Sequence, residues 1–259
     1  LVTKQGNPAR GEQIFRRESI SCFKCHAIGG AGGKVGPDLI SLGASAQVDY
    51  IIESLLNPNA KVKENYHTVV VVTDEGRTYS GIKLRQTDQE LVLRDAEDKE
   101  IRIPLKSIDE QADGSSIMPA GLTEKLTEDE LVDLVRFLSE LGKLGDYSVV
   151  KTPLARKWQA LIPDNGSRYQ LLRKGFGVTA TDAPELTWKT EYSQVNGALP
   201  IRDLQEYSFG PKFRNRPQDE MAFVRTEINV SSAGTAELIF DSPTGLTLWV
   251  DEIPTEIGP

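Results

Sequence analysis

Residues 22–26 read Cys22-Phe23-Lys24-Cys25-His26, and they hold both cysteines of the 259-residue chain and one of its two histidines. Two thiols three positions apart can each form a thioether to one vinyl group of the same porphyrin. The adjacent imidazole then lies under the iron as its proximal ligand. The spacing therefore points to covalent attachment of one haem c, an iron-binding group, through Cys22, Cys25 and His26. Three other uses of the pair compete with this one. A structural zinc site takes four Cys or His ligands, and beyond the pentapeptide only His67 remains. A thioredoxin-like redox pair follows a strand in a βαβ context, whereas Gly11 to Arg17 reads as a helix turn and a glycine-rich loop comes after. A disulfide across two residues is strained and gives His26 no role.

Working outward, Asn7 to Arg17 reads as a helix with Asn7 as N-cap and Pro8 at its first position. Gly11 and Phe15 share one face of it. After His26, the run Gly29-Gly30-Ala31-Gly32-Gly33-Lys34-Val35-Gly36-Pro37 is a loop with few side chains, able to pass closely along a flat ligand. No Lys-Ser or Lys-Thr follows its glycines, so it is not a P-loop. Val48, Ile51, Ile52, Leu55 and Leu56 recur at helical spacing over 46–56, and Asn57-Pro58 ends that element.

From Tyr66 the period changes to two, with β-branched runs at 69–73, 78–84, 91–94 and 101–105. Residues 66–110 read as a small antiparallel β meander or barrel of four or five strands, with a bend at Gly81. His67 opens the first strand and is expected at the surface. Helical character returns at Thr127-Glu128-Asp129-Glu130, a capping box, followed by a stripe of Leu131, Leu134, Val135, Leu138 and Leu141 and a stop at Gly142. The loop before that helix contains Met118-Pro119. A thioether is the usual sixth ligand opposite histidine in electron-transfer haems. A methionine in isolation is more often core filler, but the order of elements favours Met118 as that ligand over Met221, the one other methionine.

The formal charge of −8 excludes a general nucleic-acid binder. Residues 1–65 carry eight basic and six acidic side chains, the least acidic part of the chain, whereas 111–150 carry three and eight. Arg16, Arg17, Lys24 and Lys34 could form a mildly basic rim facing an acidic redox partner, or simply a solvated helix face. No run of about eighteen apolar residues is present, so no transmembrane segment is expected. Thioether attachment takes place outside the cytoplasm, which implies a periplasmic or secreted protein and an export signal upstream.

Gly11 to Phe15, Cys22 to His26, Gly36-Pro37-Asp38-Leu39, Asn57-Pro58, Thr73 to Arg77 with Gly81, and Met118-Pro119 before Leu131 to Leu138 together resemble a class I cytochrome c. More narrowly, they are similar to the haem-binding domain of large secreted proteins of planctomycetes and verrucomicrobia. The resemblance covers about residues 7–142. It implies an all-α class I cytochrome c fold, residues 1–65 and 111–150, interrupted by the β insert at 66–110. It also implies one haem held by Cys22 and Cys25, with His26 and Met118 as axial metal ligands and the Pro37 carbonyl orienting His26. In that family a dehydrogenase or propeller module often adjoins the domain, so the redox partner or dehydrogenase domain is expected elsewhere.

Residues 151–259 fall outside the resemblance. They hold Trp158, Trp188 and Trp249 and read as a separate antiparallel β sandwich of jelly-roll type, lacking closing strands, most clearly at 222–230, 236–240 and 246–250. The tryptophans serve the sandwich core or a glycan platform. The fold class expected is thus multidomain α + β, and the function is single-electron transfer with no catalytic residues. Two rivals are a haem enzyme or gas or peroxide sensor with an open sixth position, and a glycan-binding module with an ancillary haem domain.

Overall fold

The computed structural model describes residues 1–149, 153–209, 219–235, 237–242 and 244–258. It divides into two compact units, Leu1–Pro153 with Gln194–Asn196, and Leu154–Ser193 with Gly197–Pro259. The main elements of the first unit are α1 (Pro8–Arg16), α2 (Cys22–Cys25), α3 (Val48–Leu56), strands β1 (Thr68–Thr73), β2 (Thr78–Gln86), β3 (Glu90–Arg94), β4 (Glu100–Pro104) and β5 (Ile108–Asp113), and then α4 (Glu128–Glu140).

Helix α1 begins where expected because the Asn7 side chain accepts the Arg10 N–H at 3.1 Å and Pro8 needs no partner for its nitrogen. Helix α4 begins at a complete capping box, with Thr127 and Glu130 exchanging side-chain and backbone hydrogen bonds. The two helices pack at Gly11, where a β-carbon would overlap the Asp133 carbonyl and come within 2.6 Å of the Phe137 β-carbon. Around that contact Ile14, Phe15, Leu134, Val135, Phe137 and Leu138 form the core, with the rings of Phe15 and Phe137 5.7 Å apart. Each such side chain contributes roughly 1.5–3 kcal/mol by leaving water. Buried Asp133 joins the same helices by accepting the Asn7 N–H at 2.6 Å and pairing with Arg10 Nε at 2.8 Å. Its negative charge stands at the N-terminus of α1, where the helix dipole favours it.

The five strands form one antiparallel sheet in the order β4-β3-β2-β1-β5. Val69, Val71, Leu91, Leu93 and Ile103 make its core, and β3 buries Leu91, Val92 and Leu93 in succession, so it is covered on both faces. The sheet reaches Asp113, beyond the boundary expected at 110, because Ile108–Asp113 pairs with β1. Its register shifts between Lys83 and Arg85 and between Val72 and Thr73, not at Gly81, whose missing β-carbon makes room for the Arg94 carbonyl.

The second unit contains β6 (Lys157–Leu161), α5 (Asn165–Lys174), β7 (Trp188–Tyr192), β8 (Tyr207–Phe209), β9 (Asp219–Met221), β10 (Val224–Arg225), β11 (Leu248–Val250) and β12 (Ile253–Thr255). Its sheets are small: β10-β6-β7, the pair β8-β9 and the pair β11-β12. The expected all-β sandwich is corrected here to a mixed unit, because α5 and the turn Phe176–Ala180 supply Leu171 and Val178 to a core shared with Leu161, Leu186, Tyr207 and Phe209. Asp164 nucleates α5 by a capping box with Ser167. Of the strand expected at 222–230 only Val224–Arg225 pairs; residues 237–240 form none, and 236 lies outside the described residues. A glycan platform finds no support in Trp188, whose ring carries the Arg225 guanidinium 4.3 Å from its centroid.

The domain boundary also differs from the one expected at 150–151. Residues 194–196 belong to the first unit, and Val195 is buried in its core.

Two outcomes test this packing. Gly11→Val should lower unfolding stability by roughly 1–3 kcal/mol in denaturant titration, since the crossing cannot widen without opening the core; an unchanged midpoint would show that the helices do not touch there. Arg17, then the Thr127 N–H, hold the Glu130 carboxyl below its ordinary value of 4.5. A depressed carboxyl stabilises the fold above its unfolded value and loses that contribution as pH falls through the folded one. The stability difference between Glu130→Ala and wild type, read by denaturant titration, should therefore be full well above pH 4.5 and shrink as pH falls below it.

Candidate functional site

Ser21, in the left-handed region at φ 58°, turns the chain from α1 into the single turn α2. The glycine loop folds back onto that turn through its backbone. Gly33 N–H donates to the Phe23 carbonyl at 2.9 Å and Gly36 N–H to the Cys25 carbonyl at 2.7 Å. A β-carbon at Gly33 would overlap the Lys24 carbonyl, and one at Gly32 the His26 carbonyl. Gly32 and Gly33 are thus needed against the pentapeptide's own backbone, while Gly30 has open space beside it. Asp38 completes the loop by accepting from Gly29, Gly30 and Ile40 N–H at 3.0, 2.7 and 2.9 Å.

Within this frame Cys22, Cys25, His26 and Pro37 come together. Both cysteines are free thiols. Burial pushes Cys22 up to about 12. Burial also raises Cys25, opposed by Lys24 and reinforced by Asp98 and Glu97 on the β3–β4 turn. The imidazole of His26 lies 2.9 Å through Nδ1 from the Pro37 carbonyl. A carbonyl can only accept, so Nδ1 carries the proton and Nε2 keeps a free electron pair. Burial lowers the His26 pKa, against the raising effect of the Pro37 bond, which favours the neutral ring. Gly36 lies flat against it, since a β-carbon there would stand 2.5–3.0 Å from three ring atoms.

Met118 stands on a different loop, half-buried. Its N–H donates to Ser116 Oγ at 3.2 Å, and Ser116 N–H donates to Asn59 Oδ1 at 2.8 Å. Thr68 at the start of β1 donates its hydroxyl to the Ser115 carbonyl and accepts the Gly114 N–H through its own carbonyl. Among the described residues no hydrogen bond links Met118 to the other four predicted site residues. The sheet touches the opposite loop as well, where Arg94 Nη1 donates to the Lys34 carbonyl at 2.9 Å. Sequence reasoning missed Asn59, Thr68 and Arg94, which act at separations of 47–60 residues and carry no local pattern.

His67 is exposed just ahead of β1, at a cleft of about 680 Å3 shared with Tyr50, Lys61 and Ser116. The basic rim is smaller than expected, because Arg16 pairs with Glu12 at 3.3 Å and Arg17 with Glu130 at 2.6 Å. Lys24 and Lys34 are its exposed remainder. No helix of the described residues is long and apolar enough to cross a membrane.

The profile of the cytochrome c family matches residues 8–142, the span that runs from α1 through the pentapeptide, the sheet and Met118 to the end of α4. No curated protein matches the chain. With more than half of its length inside that match, a free thiol pair on one helical turn and a histidine with a ligand-ready Nε2, the chain belongs to the cytochrome c family.

Proposed function

We propose that this protein is a monohaem carrier of single electrons, working in the periplasm or as a secreted protein, in which Cys22 and Cys25 anchor one haem c, His26 is the proximal ligand and Met118 the sixth. The observation that carries the reading is the His26 ring, whose Nδ1 is tied to Pro37 while Nε2 is left to ligate. The remaining residues fit the group. Cys22, Phe23, Ile52, Leu55, Leu126 and Leu131 pack on the first core yet stay only partly buried, an apolar surface that a macrocycle would cover. The finer architecture proposed is a class I helical fold interrupted by the sheet, of the type found in planctomycete and verrucomicrobial secreted proteins.

When bound, the haem supplies an iron that cycles between two oxidation states. The chain supplies the rest. Pro37 fixes the plane and tautomer of His26 and makes its Nε2 a better donor. The Asn59 and Thr68 bonds hold the loop that presents the Met118 thioether, a soft ligand that favours the reduced state. With haem bound, the apolar walls would keep water from it and so would disfavour extra ferric charge. The sheet bonds of Thr68 and Arg94 would hold the spacing of the two ligand loops. The electron donor and acceptor are separate redox proteins or modules, a dehydrogenase among them.

Pyridine haemochrome and visible spectra of the purified protein should show one covalent haem per chain and a methionine-sulfur band in the far red of the ferric form. Met118→Ala should lose that band, lower the potential and bind cyanide or carbon monoxide at once, whereas Met221→Ala should leave the spectrum as it was. A Met118→Ala protein with an unchanged band and potential would remove Met118 from the iron. Rapid binding of those ligands by the wild type would favour an open-site enzyme or sensor.

A further inference from the structure

Val195 lies 183 positions from Glu12, yet its N–H donates to Glu12 Oε1 at 2.9 Å in a buried contact. Its side chain is 2% exposed in the core that holds Phe15 and Leu138. Glu12 itself is only 5% exposed. The same carboxylate oxygen is 3.3 Å from Arg16 Nη2, one helical turn further along α1. The Arg16 guanidinium in turn stands 5.0 Å from the ring centroid of Phe23. Phe23 is the residue that follows Cys22, and its ring meets Phe15 edge-on at 4.9 Å.

A buried carboxylate is a poor choice for stability alone. Well-packed apolar residues of similar volume usually serve as well or better than a buried ion pair. What Glu12 adds is geometry. It accepts two donors at one oxygen and so holds a planar guanidinium over an aromatic face, an arrangement lysine could not reproduce. We propose that Glu12 is a positioning residue for the haem-attachment turn, acting through Arg16 on the Phe23 ring, and that residues 194–196, supplied from beyond the family match, lock it in place. The relay runs Val195 N–H, Glu12 carboxylate, Arg16 guanidinium, Phe23 ring. Its last member sits between the two attachment cysteines, so its orientation sets the aromatic surroundings of whatever they hold. The proposal rests on the functional reading above, in which that group is haem.

The test uses the full-length haem-loaded protein and reads the Soret circular dichroism, which reports aromatic rings near the porphyrin, together with the midpoint potential. Glu12→Ala should reduce the Soret dichroic amplitude at least twofold and shift the potential. Glu12→Gln, which keeps an acceptor for both donors, should restore the dichroic amplitude. Arg16→Lys should resemble Glu12→Ala, because it keeps the charge but not the planar group. Val195→Pro, which deletes the N–H, should do the same. If Glu12→Ala or Val195→Pro does not accumulate folded, Arg16→Lys decides the relay. Wild-type dichroism and potential in Arg16→Lys and Glu12→Ala, with only the melting temperature lowered, would overturn the proposal and leave Glu12 a structural residue. A wild type without covalent haem would overturn the functional reading and the proposal together.

Discussion

The first unit depends on one close approach, that of Gly11 to the backbone carbonyl of Asp133. Any side chain there would push α1 off α4. With the helices apart, Phe15 and Phe137 could not share a core, and Asp133 could not reach the Asn7 N–H. Helix α1 ends at Arg16, five residues past that contact. Arg17 and Ser21 follow directly, and the left-handed turn at Ser21 then delivers the attachment residues beside the crossing. A glycine thus fixes the position of two cysteines eleven and fourteen residues away.

Once the crossing is made, the two loops that carry the proposed iron ligands still have to be held. They are held differently. The histidine side is closed locally, by Asp38 on the glycine turn and by Gly33 and Gly36 on the α2 backbone. The methionine side has one local bond, from the Met118 N–H to Ser116 Oγ, and borrows Asn59 and Thr68 for the rest. Thr68 belongs to the sheet, and so does Arg94, which reaches the Lys34 carbonyl on the histidine side. A sheet bonded to both loops is more than an appendage between two helices. Its core, with Leu91, Val92 and Leu93 buried at the centre of β3, becomes a constraint on the distance between them.

This division explains what could be read from the sequence. Thr127 with Glu130 and Asn7 with Pro8 mark helix starts through bonds that close within a few residues, so they are legible one segment at a time. Strands β1 to β4 are legible because their apolar residues alternate or run together. Strand β5 is not, since five of its six residues are exposed at an edge and carry no buried period. Helix α5 escaped for a similar reason: Tyr169 and Leu172 face outward, and only Leu171 among its apolar residues is buried. The pentapeptide identified the chemistry because covalent attachment dictates spacing. It could not reveal which backbone the glycines would meet, which depends on the path of the loop.

The least legible feature is the return of residues 194–196 to the first core, since nothing in Gln194-Val195-Asn196 distinguishes it from any short polar stretch with one valine. Its effect is visible only with Glu12 in view. A carboxylate on the inner face of α1, two positions before Ile14 and three before Phe15, looks like a fault in the apolar pattern. Patterns of that kind are violated where a specific partner compensates, and here the compensation comes from the Val195 N–H and the Arg16 guanidinium. The charged residue breaking the stripe was therefore the signal. One of its two donors, the Val195 N–H, comes from far along the chain, so the unit containing the attachment turn is not closed by residues 1–149 alone.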